Sequence, residues 1–385
     1  MDADVVIAGG GLVGASLACA LDGLRVAVVD PAPPLPVPEG PFDSRVYALS
    51  PGNVAFLRRL GAWDRLPANA AEPVHAMDVR GDDGRARLEF DAWDTGVSEL
   101  AWIVEERVLL AALRDTQQGR PGVARYAPAR CVAIEVGAES VEVRLDGGGR
   151  LEAQLLVGAD GAGSFVRGAA DIAVTERPYG HSGVVANFSC ERAHGHVARQ
   201  WFQEGAVLAL LPMSGNHVSM VWSLPAERAE EALALSTQAL CAAVEQASGG
   251  AVGALSLVTP PQAFPLRRIA AASMVRERVA LVGDAAHVVH PLAGQGVNLG
   301  FGDVRVLAEV LAAREPGRDV GDRLLLRRFE RSRAEAILAM DATVHGLFTL
   351  FGTGNGVLRR LRNAGMECVD RAGVLKNMLI RHAMQ

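Results

Sequence analysis

DVVIAGGGLVGASLACALDGLRVAVVD, residues Asp4 to Asp30, is the stretch on which the fold turns. Asp4–Ala8 is an apolar run of buried-strand length, and the glycine turn Gly9–Gly14 (GGGLVG) interrupts it. Small apolar residues from Ala15 to Asp22 read as a helix, and Arg25–Asp30 as a second strand ending in a carboxylate. Each glycine has a task in this pattern. Gly9 makes the tight turn, Gly11 lets the backbone approach a pyrophosphate, and Gly14 lets helix and strand pack closely. The first N–H groups of the helix lack intrahelical acceptors and face the turn. Asp30 lies 21 residues after Gly9, where a carboxylate accepts hydrogen bonds from a ribose diol. The spacing predicts a dinucleotide-binding α/β unit.

Two later segments repeat the strand-then-turn logic. In VGADGAGSFVR (Val157–Arg167) a strand over Leu155–Val157 ends at Gly158, Asp160-Gly161 turn, and a helix starts near Ser164. That pattern is a functional turn or an Asx turn followed by a serine N-cap. In VALVGDAAHVVHPLAGQGVNLGFG (Val279–Gly302) a strand over Val279–Val282 ends in Asp284. Gly294, Gln295 and Gly296 then lead through Val297 and Asn298 into a helix expected to reach Ala313. Such a segment offers a carboxylate for a hydroxyl and an amide cradle for an electron-rich group. Arg45, in Asp43-Ser44-Arg45, and Arg107, opening a helix to Gln117, either clamp phosphates or face solvent.

Bulk properties narrow the field. At 385 residues the chain exceeds a single typical core, so two interlocked domains are expected. Net charge −6 leaves no basic surplus for phosphate backbones, which argues against nucleic acid. Five scattered cysteines without a C-x-x-C pair point to neither a disulfide framework nor a metal site, and fit a reducing cytoplasmic setting. The chain enters a strand by Val5 with no basic, apolar leader before it, so no signal peptide is expected. Gly205–Pro225, with Ser214-Gly215-Asn216 between alternating apolar runs, reads as a hairpin.

The fold class expected is α/β: a Rossmann-like cofactor domain with an interleaved β-sheet substrate domain and a helical C-terminal tail. The cofactor domain is assigned to 1–74, 103–177 and 265–340, the substrate domain to 75–102 and 178–264, and the tail to 341–385. Trp201, Leu208, Leu210, Met220 and Trp222 are candidates to line the substrate pocket, or else ordinary sheet core.

GGGLVG with Asp30, DSR at 43–45, GADGAGSFVR and VGDAAHVVHPLAGQGVNLG, in this order, resemble the class A flavoprotein aromatic hydroxylases, whose reference is the 4-hydroxybenzoate hydroxylase fold. Within them, DSRVYALSPGNVAFLRRLGAW and DRAGVLKNMLIRHAMQ are similar to the ubiquinone-biosynthesis hydroxylases of proteobacteria. Asp30 departs from the glutamate more usual there. The resemblance implies FAD as cofactor and NAD(P)H as transient reductant. It places Gly9, Gly11, Leu12, Val13, Gly14 and Asp30 at the ADP half, and Arg45, Arg107 and Asp160 at further cofactor contacts. It places Asp284 at the ribityl chain and Gly294, Gln295, Gly296, Val297 and Asn298 against the isoalloxazine ring. It implies O2 as co-substrate, a C4a-hydroperoxide of the flavin as oxidant, and a prenylated phenol as the small-molecule substrate. No catalytic base is assigned; His181, His217, His287 and His290 lie in suitable regions.

Three rival readings are distinguishable. A flavin halogenase uses a lysine in the flavin domain and a W-x-W-x-I-P motif, whereas the sole lysine here is Lys376 and the motif is missing. A flavin-dependent reductase of an isoprenoid double bond and a non-catalytic FAD-binding member of a biosynthetic complex remain. Finally, Val357–Gln385 carries Arg359, Arg360, Arg362, Arg371, Lys376 and Arg381 with apolar residues at helical spacing. A basic amphipathic helix lies on an anionic membrane, docks on a partner, or packs on its own domain.

Overall fold

The computed structural model describes residues 1–33, 42–82, 86–203, 205–290 and 296–352. Gly294, Gln295 and the basic stretch 357–385 lie outside them. A six-stranded sheet runs in the order Val275–Arg276, Val279–Leu281, Leu155–Gly158, Val5–Ala8, Val26–Val29, Val123–Tyr126. All neighbours are parallel except the first pair. The central strands are apolar on both faces because helices cover both, as a parallel sheet requires. The helix Leu12–Ala20 begins three residues earlier than the composition suggested. Leu12 and Val13 therefore sit inside its first turn, and Gly11 is its N-cap.

Helix Pro51–Leu60 precedes two helices, Glu106–Gln118 and Gly296–Ala312, that fall where the sequence placed them. Ser50 caps Pro51–Leu60 by accepting from the Asn53 N–H, and Pro51 presets its opening φ. A second, largely antiparallel sheet carries His287–Val288, Gln262–Ala271, Val174–Cys190, His217–Pro225, Ala206–Met213, Val197–Gln203, Ala76–Arg80 and Arg87–Asp91 in that order. The hairpin around Ser214–Asn216 is present, with Gly215 at φ +71°. Val174–Cys190 and Gln262–Ala271 pair along most of their length, so this sheet continues beyond 178 and 264. A 30-residue helix, Arg323–Gly352, crosses residue 340 without a break.

Strand alternation splits the large sheet into two unlike faces, because successive side chains point to opposite sides. Val184, Trp222, Leu208 and Trp201 lie opposite one another across four strands, as do Ala186, Met220 and Leu210. These seven pack into one buried cluster with Ala229, Ala232, Leu240 and Val244 of helices Ala226–Ala234 and Thr237–Ala247. The pocket candidates Trp201, Leu208, Leu210, Met220 and Trp222 are therefore core on the helix-covered face. They include Trp201 and Trp222, the largest apolar side chains of their strands, and the covering helices are what bury them.

The other phase forms the opposite face. Val185, Val221, Ala209 and Gln200 make one cross-strand row, and Gly183, Ser223 and Val207 the next. Val185, Val207, Ala209 and Val221 are only half-buried. This face meets the Asp43–Arg45 turn: Asn187 Nδ2 donates to Asp43 O at 2.7 Å, Ser44 Oγ to Gln262 Oε1 at 3.2 Å, and Arg45 lies 4.9 Å over Phe264.

Candidate cofactor and substrate site

Four neighbouring parallel strands end at one edge of the first sheet, and each delivers one motif there. Val279–Leu281 leads to Asp284, Leu155–Gly158 to Asp160, Val5–Ala8 to the glycine turn, and Val26–Val29 to Asp30. Ligands of open α/β sheets bind in the crevice at these carboxyl ends. The turns touch: a Cβ on Gly9, whose φ is +104°, would lie 2.2 Å from Ala159 O, and one on Gly14 would lie 1.9 Å from Gly9 O. A Cβ on Gly11 meets no atom within 4 Å. The space over Gly11 is open, at the positive end of a helix with no acidic side chain in its first turn. Gly10 is needed as well, since a Cβ there would lie 2.4 Å from Asp30 Oδ2.

The three carboxylates differ in their surroundings. Asp30 is buried and already engaged: Oδ2 accepts from Arg114 Nη2 at 3.2 Å and Arg125 Nη2 at 3.0 Å, and Oδ1 from the Ala32 N–H at 3.0 Å. A ribose diol there would share it with two guanidinium groups. In the second motif the serine N-cap is present, and the aspartate reaches six residues onward rather than closing an Asx turn. Asp160 Oδ2 accepts from the Val166 N–H at 3.0 Å, and Ser164 caps the helix Phe165–Ala169. Asp160 Oδ1 is buried with no partner among the described residues. Arg167, from the same motif, donates to Ala285 O at 2.8 Å and Ala162 O at 2.9 Å, binding the second motif to the third. Asp284 is solvent-reachable, yet protein encloses it on most sides. That burial pushes its carboxyl above the usual range, against His287 and Arg267, which pull it down.

The arginines and Asn298 are placed unequally. Arg107 is largely buried and pairs through Nε with Glu105 Oε2 at 2.9 Å, the oxygen that also accepts the Asp43 N–H at 2.6 Å. Arg45 is half-exposed, 3.5 Å from Glu106. The two arginines therefore meet at one turn. The Asn298 side chain bonds within the protein. Its Oδ1 accepts from the Ser50 N–H and Asn53 Nδ2, and its Nδ2 donates to Ala48 O at 2.8 Å. It ties the helix Gly296–Ala312 to the cap of Pro51–Leu60, and its carbonyl accepts from Asn53 Nδ2 at 3.3 Å. Val297 is buried beside it.

Of the histidines, His287 bonds Asp303 Oδ2 at 2.7 Å. Ring nitrogens of His181 and His217 contact main-chain carbonyls. His290 packs edge-on to Tyr179, and burial pushes its pKa down to about 3, so it is neutral at physiological pH. Glu72, His194 and His196 gather one donor atom each within 4.8 Å. His194 nevertheless has both nitrogens committed, Nε2 to Met213 O and Gly215 O and Nδ1 to the His196 N–H. The cluster is a clasp between strand Ala71–Val74 and the 191–196 connection. Burial also raises the thiols of Cys19, to about 11, and Cys131, to about 12, which removes them as nucleophiles.

Burial alone would lower the His287 pKa, but the charge and hydrogen bond of Asp303 reverse this and raise it. A raised folded pKa stabilises the fold fully below the unfolded value, about 6.5, and the gain is lost as pH rises through the folded value. The melting temperature should therefore fall as pH is taken upward from about 6.5. His287→Gln should flatten that slope, and an identical slope in the variant would remove His287 as its source.

A glycine-turn helix and strand-end carboxylates along one crevice, with a second sheet facing the adjoining turn, define a dinucleotide-binding α/β architecture. Residues 2–342 match the family described as FAD binding domain, and the chain belongs to that family as an FAD-dependent monooxygenase. It is 37% identical over 387 residues to the ubiquinone hydroxylase UbiL of Rhodospirillum rubrum, covering 99% of this chain and 89% of that one. It is 34% identical to the 3-demethoxyubiquinol 3-hydroxylase of Escherichia coli, covering 99% and 98%. Among solved structures it is similar to PqsL of Pseudomonas aeruginosa, described as a probable FAD-dependent monooxygenase (26% identity, TM-score 0.80, 94% and 99% covered). The p-nitrophenol 4-monooxygenase PnpA of Pseudomonas putida has the same fold at 19% identity and TM-score 0.81, over 99% and 98% of the two chains.

Proposed function

We propose that this protein hydroxylates the ring of a neutral, prenylated phenol in ubiquinone assembly, with FAD along the strand-end crevice. The observation that carries this is the juxtaposition of the open glycine turn and three carboxylates with the half-buried row Val185, Val221, Ala209 on the sheet face that meets the Asp43–Arg45 turn. FAD, reduced by NAD(P)H, supplies the activation of O2 for insertion of one oxygen atom.

The chain's own residues bind, orient and exclude water. Main-chain N–H groups at Leu12 and Val13 receive the pyrophosphate over the open Gly11, while Asp30 takes the adenosine ribose. Asp160 offers its unpartnered oxygen to a further hydroxyl, Arg45 and Arg107 flank the phosphates, and Asp284 takes the ribityl chain. Gly296, Val297 and Asn298, at the start of their helix, offer main-chain groups to the ring. Gly183, Val185, Val207, Ala209, Val221 and Ser223 carry no charge, so they suit an apolar ring and give a ring carboxylate no counter-ion. In this reading residues 1–74, 103–177 and 265–340 serve the cofactor, and 75–102 with 178–264 serve the substrate.

Asp30→Ala should weaken FAD binding by about 1.5–3 kcal/mol, the range for hydrogen bonds to a charged group. An unchanged dissociation constant would take the ribose away from Asp30. The reaction itself is tested by turnover under 18O2. Labelled phenol supports ring hydroxylation, whereas unlabelled, reduced product would make the protein a reductase. The stretch 357–385 extends the proposal to an anionic membrane surface, because six of its side chains are basic and only Glu367 and Asp370 are acidic. Truncation after residue 356 should abolish binding to anionic liposomes and leave turnover of a short-chain phenol intact. Retained liposome binding would end that part.

A further inference from the structure

We propose that Asp303 is a positioning residue through which the helix Arg323–Gly352 holds the cofactor-facing turn Gly283–Asp284. This rests on the placement of FAD over that turn. Asp303 lies inside the helix Gly296–Ala312 with no exposed surface. Its Oδ2 accepts from the Gly283 N–H at 2.9 Å and from His287 Nε2 at 2.7 Å, and its Oδ1 accepts from Arg333 Nε at 2.7 Å. Arg333 Nη2 donates onward to Leu299 O at 3.2 Å. The guanidinium passes where a side chain on residue 302 would stand, since a Cβ on Gly302 would lie 2.8 Å from Arg333 Nη2.

One carboxylate thus joins four elements. They are the turn after Val279–Leu281, the edge strand His287–Val288 of the large sheet, its own helix, and the long helix. The long helix is anchored on the same side above and below. Glu330 Oε1 accepts from the Met274 N–H at 2.8 Å, in the connection between the two sheets. Asp341 takes Arg268 of the large sheet through two bonds, at 2.7 and 2.6 Å. The helix therefore braces both sheets, and Arg333–Asp303 is where the brace reaches the crevice.

Apolar packing would stabilise this interior at least as well as a buried ionic cluster, which seldom adds net stability. What the carboxylate adds is direction. It fixes the N–H of Gly283, a residue at φ +60° whose conformation sets the path of the chain into Asp284. A Cβ on Gly283 would lie 3.1 Å from Val13 of the glycine-turn helix, so the turn has no slack on its other side.

The test compares Asp303→Asn, Arg333→Lys and His287→Gln with Phe329→Leu, a fully buried apolar site on the same long helix. Full-length apoprotein is titrated with FAD by fluorescence quenching, and the visible spectrum of the bound flavin is recorded well below each melting temperature. Asp303→Asn sets an amide N–H against Arg333, and Arg333→Lys keeps the charge but loses the fork. Both should raise the FAD dissociation constant at least about tenfold and alter the flavin band, whereas Phe329→Leu lowers melting temperature alone. Should Asp303→Asn not fold, Arg333→Lys and His287→Gln decide. Dissociation constants and spectra like those of Phe329→Leu would overturn the proposal. Asp284→Ala is titrated alongside. An unchanged constant there overturns the placement of FAD on the turn, whereas weakening there with parental binding in Asp303→Asn overturns this inference alone.

Discussion

Gly11→Val should give a chain that folds and melts within a few degrees of the parent yet binds FAD about 100-fold more weakly. Gly11 has φ −71° and ψ −173°, extended backbone that valine adopts freely, and nothing lies within 4 Å of its Cβ position. The added Cβ therefore strains no protein atom. It fills the approach to the helix N-terminus, where the pyrophosphate sits against unpaired N–H groups. A hundredfold loss corresponds to about 2.7 kcal/mol, within reach of losing a charge-assisted anion site. Gly14→Val is the contrast. Its Cβ would lie 1.9 Å from Gly9 O and 3.3 Å from the Ala159 side chain, so helix and strand must separate. That overpacking costs about 1–3 kcal/mol or more and should lower the melting temperature and abolish FAD binding together. Paired titrations and thermal melts distinguish the two. FAD binding within threefold of parental in Gly11→Val would move the pyrophosphate off this turn.

Trp222→Ala and Ala209→Phe should fail in opposite ways. Trp222 is buried on the helix-covered face of the large sheet, and truncating it should cost about 3–5 kcal/mol of stability. The phenol KM of the surviving folded enzyme should stay at its parental value. Ala209 is half-buried on the other face, in the row with Val185 and Val221, and a phenyl group there takes the space proposed for the substrate ring. Its melting temperature should be parental, while KM rises at least about tenfold and peroxide formed at the expense of NAD(P)H replaces product. Melting curves, KM and peroxide per NAD(P)H read both at once. A raised KM without destabilisation in Trp222→Ala would exchange the roles of the two faces.

These two substitutions mark where sequence reading ended. Alternation along Ala206–Met213 and His217–Pro225 announced strands, and their apolar bulk suggested a pocket. Alternation reports that two faces exist, but not which one helices cover. Helices Ala226–Ala234 and Thr237–Ala247 bury the bulkier phase, leaving the smaller residues to the crevice side. Nor does motif position show that the Asn298 side chain bonds Ala48, Ser50 and Asn53, which are about 250 residues away in sequence. Gly10, Arg114 and Arg125 went unremarked because their partner, Asp30, is reached only through sheet order and the Glu106–Gln118 helix.

What the sequence determined by itself was local. An apolar strand, a glycine turn and a small-residue helix constrain one another within a few residues, so Asp4–Asp30 could be read as a cofactor unit without any other part of the chain. Asp160 and Asp284 followed because the same strand-end chemistry recurs beside them. What only the tertiary structure decided was pairing across distance. Strand order set four motifs along one crevice, and two arginines converged on Asp30. A buried carboxylate at 303 met a histidine 16 residues before it and an arginine 30 residues after it. Such contacts depend on how faces pack, and packing energy depends on which surfaces meet, a quantity no single segment carries.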